Sequence, residues 1–81
     1  MSIEEEIFDE AYELTLKHLH ARAELEDFDI SLVEGELVHL QRYEGQDWSG
    51  RGEIKNSEIS AQVTAYQVFL YRWKQKIDQS G

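Results

Sequence analysis

Glu36 and His39 stand three residues apart in the stretch Glu36-Leu37-Val38-His39. On a helix that spacing puts a carboxylate and an imidazole on one face. Carboxylate-bridged di-metal bundles use two Glu-x-x-His pairs and two further glutamates, all projecting inward from facing helices. This chain offers one such pair. A homodimer would supply the second, with Glu10 or Glu13 as the added carboxylate and His18 close by on the first helix. One pair in so acidic a sequence is weak support. The expectation is therefore no metal and no cofactor, with Glu36 and His39 as the ligands to test. His18 is expected as a half-buried seam residue and His39 at an exposed or edge position.

Other reaction chemistry finds little to work with. The chain has no cysteine, which excludes a thiolate nucleophile, a thiolate metal site and a disulfide. It has no Gly-x-Ser-x-Gly stretch. The segment Gly50-Arg51-Gly52-Glu53-Ile54-Lys55 lacks the glycine spacing and the lysine position of a phosphate-binding loop. The reading is a protein that is not an enzyme.

Charge is the stronger signal. Glu5, Asp9 and Glu13 fall at i, i+4 and i+8, with Glu6 and Glu10 as a parallel pair beside them. Each like-charge contact at that spacing costs a helix about 0.2–0.5 kcal/mol. Only Lys17, four residues after Glu13, relieves the row in the favourable direction. The plain reading is a solvated face near a helix N-terminus. The functional reading is a surface kept acidic for a basic protein partner, such as the nucleic-acid groove of another protein.

A second candidate contact lies in the stretch from Glu44 to Glu58, where Gly45, Gly50 and Gly52 crowd around Trp48 and Arg51. Glycine suits a connector because it adopts backbone conformations closed to other residues. Trp48 would then fold back as a lid on the core. Alternatively Trp48 and Arg51, both frequent binding anchors, are displayed to a partner.

The elements that must carry these residues read as helices. Residues 2–28 form one helix, with Ser2 and Glu5 as a capping box. Its apolar or small positions Ile7, Ala11, Leu14, His18, Ala21, Leu25 and Phe28 alternate gaps of four and three, the spacing of a heptad seam. Phe8, Tyr12 and Leu19 widen that face. Residues 53–79 form a second long helix, capped by Asn56 or Ser57, with Ile59, Val63, Tyr66, Leu70, Trp73 and Ile77 on its seam. Phe69, Tyr71 and Trp73 among Arg72, Lys74 and Lys76 could stack on single-stranded bases, but seam positions such as Tyr66 and Trp73 belong to a core.

Residues 28–43 are ambiguous. As a helix they have Ser31 and Glu34 as a capping box, then Ile30, Val33, Leu37 and Leu40 on one side. As a hairpin, Phe28, Ile30 and Leu32 alternate with polar residues and Glu34-Gly35 makes the turn. Glycine inside a helix costs about 1 kcal/mol relative to alanine, which speaks for the hairpin, while the spacing speaks for the helix. The fold class is mainly α: a single helical domain over residues 1–81, two long helices joined by a short third. The alternative is α-β-β-α. Acids at the start of the first helix and bases at the end of the last suggest that the long helices run antiparallel, or pair across a dimer.

Eighty-one residues with net charge −9 bound the function further. Residues 1–36 carry twelve acids against two bases, and residues 37–81 five against six. So negative a first half opposes direct contact with nucleic acid or an anionic membrane. The segment Met1-Ser2-Ile3-Glu4-Glu5-Glu6-Ile7-Phe8 has no apolar stretch of the secretory kind, and the location expected is cytoplasmic. The leading function is a small acidic interaction protein or inhibitor. Glu5, Asp9, Glu13, Trp48 and Arg51 would be its partner-binding residues. By size and charge alone it is comparable to inhibitors of nucleic-acid-binding machines, anti-defence proteins among them. The other classes are a homo-oligomeric metal-binding bundle and a self-assembling structural subunit.

Overall fold

The computed structural model describes the backbone of residues 3–45 and 52–80 and the side chains of residues 3–45 and 56–77. Three helices account for most of it: α1 (Ile3–Ala23), α2 (Ile30–Glu44) and α3 (Gly52–Ser80). No strand occurs among the described residues, and the middle segment is the helix rather than the hairpin.

Local chemistry explains the boundaries. α1 stops at Ala23, five residues short of the expected end. There the chain tightens into bonds from the Glu24, Leu25 and Phe28 amides to the carbonyls of Ala21, Arg22 and Leu25. Acids at positions 24, 26 and 27 are unfavourable at the negative end of a helix. α2 is capped by Asp29 rather than Ser31. The Asp29 backbone is extended, and its Oδ1 accepts from the Ser31 amide at 2.9 Å and the Ser31 hydroxyl at 2.7 Å. Those bonds favour the charged carboxylate, so the pKa of Asp29 is lowered. Gly45 ends α2 in a right-handed conformation, with its amide donating to the Gln41 carbonyl at 3.1 Å. α3 begins at Gly52, so Asn56 and Ser57 lie inside the helix and cap nothing.

The chain runs up, down and up. Ile7 and Ala11 of α1 share a recess with Glu58 and Gln62, and His20 and Ala23 share another with Phe69 and Trp73. α1 and α3 are therefore parallel, which corrects the antiparallel expectation. α2 runs the other way, with Glu44 beside Ser60 and Glu36 beside Tyr66. With α2 reversed between them, the first and third helices point alike. The early acids of α1 thus lie beside the start of α3, far from Lys74 and Lys76.

Leu19, Val33, Phe69 and Leu70 form the core where the three helices meet, with Leu16, Phe28, Ile30, Leu37, Tyr66 and Trp73 packed around them. An edge-to-face contact between Phe28 and Phe69 (6.3 Å) and the stacked Phe69–Trp73 pair (6.0 Å) close one end. On α3 the expected seam is buried at Ile59, Val63 and Leu70, and Ala61 and Ala65 add a second buried line. On α1 the seam is displaced. Phe8, Tyr12, Thr15, Leu16, Leu19, Arg22 and Ala23 turn inward and the seam residues Ile7 and Ala11 are half-buried, while Leu14, His18 and Ala21 are exposed, as is Leu25 in the turn that follows. Leu14 is 56% exposed and Leu25 60%. A strict seven-residue repeat drifts about 20° per heptad around a straight α-helix, so the seam leaves the core as it runs along α1.

Candidate functional site

α1 and α2 both pack on α3 but leave a groove between themselves, roughly 1070 Å³ in volume. Thr15, His18, Ala21 and Arg22 form the α1 wall. Leu32, Gly35, Glu36 and His39 form the α2 wall, and Gln62 and Tyr66 of α3 lie between. Helical spacing puts each set on one side of its helix.

One polar network ties the three helices together in this groove. Arg22 Nη1 donates to Glu36 Oε1 at 2.7 Å, and Nη2 to Oε2 at 3.0 Å, a two-pronged pair. Tyr66 Oη donates to Glu36 Oε1 at 2.8 Å. The Arg22 bond holds the Glu36 carboxyl below its ordinary pKa, and the same bond raises Arg22. Burial first, then the bond to Glu36, pushes Tyr66 up to about 12. With both its oxygens engaged, Glu36 is a latch between helices and a poor candidate for a metal ligand. His18 and His39 line the same groove, both exposed. Among the described residues, no group of three or more His, Cys, Asp or Glu could hold a metal ion. No side-chain spacing announces this network, because its members lie 14 and 30 residues apart in sequence. The oppositely charged Arg22 and Glu36, on helices joined by a short turn, were the one available hint.

The acidic row occupies a different surface. Glu5, Asp9 and Glu13 are all exposed, as are Glu6 and Glu10. They stand on the part of α1 that the core does not use. The later acids have local roles: Asp29 caps α2, and Glu24 shares a recess with Arg72 and Lys76. Trp73 is half-buried against the core, which agrees with a packing role. Its indole Nε1 is buried without an acceptor among the described residues. Trp48 and Arg51 lie outside the described residues.

The chain matches no family model, and no curated protein or solved structure was found to be similar to it. No helix among the described residues is long and apolar enough to cross a membrane.

Proposed function

We propose that this chain is a non-enzymatic interaction protein or inhibitor whose acidic α1 face docks on a basic surface of a protein partner, such as a nucleic-acid-binding machine. The observation that supports this reading is the exposure of Glu5, Asp9 and Glu13 on successive turns of α1, outside the arc that packs on α3. Glu5 stands in the first turn, where the helix dipole favours an acid, but Asp9 and Glu13 lie beyond it, and like charges at that spacing weaken a helix. A partner with a complementary surface would turn the repulsion into attraction. It would also be drawn in faster at low ionic strength.

The test is capture of basic proteins from a cell lysate by immobilised wild-type chain and by the triple variant Glu5→Lys, Asp9→Lys, Glu13→Lys. A basic protein held at low salt by the wild type, released at high salt and missed by the variant is expected. Retention of the same proteins by both chains would leave the row as a solvated face only.

A further inference from the structure

The N-terminal halves of α1 and α3 enclose a recess of about 300 Å³, lined by Ile7, Glu10, Ala11, Leu14, Glu58 and Gln62 among others. We infer that this recess receives an arginine or lysine side chain presented by a basic amphipathic helix of a protein partner. The inference rests on the acidic-face reading and names the anchor that the reading leaves open.

The composition of the recess carries the argument. Ile7, Ala11 and Leu14 give it an apolar lining, and each of the two helices contributes one acidic residue, Glu10 from α1 and Glu58 from α3. No cation lines it. Parallel packing brings the two acids together, and neither stands in the first turn of its helix, where the dipole would offset its charge. Apolar surface and two like charges in one recess work against each other within the chain. A long cationic side chain satisfies both: its methylene stem covers the apolar lining and its head lies between the carboxylates. Arginine suits the position better than lysine, because guanidinium is less strongly hydrated and offers donors to two carboxylates at once.

The surroundings indicate what presents that side chain. Ile3, 69% exposed, and Leu14, 56% exposed, extend the apolar surface along α1 on either side of Ile7. Glu6 and Glu10 border that strip and are exposed. An apolar strip edged by acids is the complement of a helix with leucines on one face and basic residues flanking them. A second copy of this chain is the wrong occupant, since it would bring a further net charge of −9 to an acidic surface.

The experiment titrates isotope-labelled full-length chain with a synthetic amphipathic helix bearing leucines flanked by arginines. One control peptide carries glutamate for arginine and another serine for leucine. Amide shifts are expected at residues 7–15 and 58–62, from the arginine peptide alone. Leu14→Ser should weaken binding about tenfold at any salt concentration, the equivalent of about 1.4 kcal/mol. Glu10→Gln with Glu58→Gln should weaken it about tenfold at low salt and less at high salt. All three positions lie outside the three-helix core, and unchanged far-ultraviolet circular dichroism would confirm that these variants fold. Shifts centred on Leu32 and His39, or binding that neither variant alters, would overturn the recess. The Glu5→Gln, Asp9→Gln, Glu13→Gln variant separates the two ideas. If it alone abolishes binding, the row stands and the recess falls. If it binds normally while the recess variants fail, the recess stands and the row falls.

Discussion

α1 and α3 both carry apolar residues at alternating gaps of four and three, yet α3 fully buries three of them and α1 none. Ile59, Val63 and Leu70 are 3–7% exposed, whereas Leu14 of α1 is 56% exposed. The difference lies in position within the bundle. α3 is covered by α1 on one side and α2 on the other, so a wide arc of its surface is buried, down to the small Ala61 and Ala65. α1 is a flanking helix and buries a narrower arc centred on Leu19. Ile3 and Leu14 lie outside that arc, exposed next to the acids. Hydrophobic spacing on a helix covered from two sides reports the core. On a flanking helix it reports the core and any further surface together.

Removing core side chains should give the largest effects. Leu19→Ala and Leu70→Ala should each cost about 2–5 kcal/mol in urea unfolding. Loss of that size is enough to unfold much of a small domain whose total stability is of order 5–15 kcal/mol. If Leu19→Ala were harmless, α1 would not be seated on the arc around Leu19, and the contrast between the helices would fail.

A smaller gain is expected on α2. A Cβ at Gly35 would meet nothing within 4 Å, so Gly35→Ala should raise stability by up to about 1 kcal/mol through helix propensity. An unchanged or lowered melting temperature would mean that α2 is held by its neighbours rather than by its own helical preference.

The latch that joins both helices to α2 should show in the pH dependence. Glu36 has a lowered folded pKa, so its contribution is present above the ordinary value of 4.5 and is lost as pH falls through the lower folded value. Tyr66 has a raised one, so its contribution is present below 10.0 and is lost as pH rises towards about 12. Glu36→Gln should flatten the acid side of a melting-temperature profile and Tyr66→Phe the alkaline side. The Arg22–Glu36 side chains are more than a third exposed on average, so the pair is worth about 0.2–1 kcal/mol. Profiles that keep their shape in both variants would show that the latch contributes nothing to stability.

The smallest effect sharpens the comparison most. Leu14→Ala should change stability by no more than about 0.5 kcal/mol, as for an exposed site. A cost matching that of Leu70→Ala would restore the heptad seam as the core of α1.

The local pattern of residues was enough to place the two long helices, because apolar spacing, the absence of proline and the glycines after Glu44 all act within a few residues of chain, while residues 28–43 stayed open between helix and hairpin. It was also enough to read the seam of α3 and to separate the acidic row from the core. The cap of α2 was legible but misassigned: Asp29 and Ser31 are both good capping residues, and only the extended backbone at Asp29 decides between them. Three features needed the tertiary structure. The rotation of α1 depends on where α3 sits, since residue spacing says which side chains share a face but not which face is covered. The parallel arrangement of the long helices follows from two reversals, and opposite charges at the chain's two ends are too weak to override that connectivity. The Arg22–Glu36–Tyr66 latch and the Glu10–Glu58 recess join residues from separate helices. Their geometry comes into being only when packing brings those helices together, because hydrogen bonds and charge contacts act over a few ångströms of space, however far apart their partners lie along the chain.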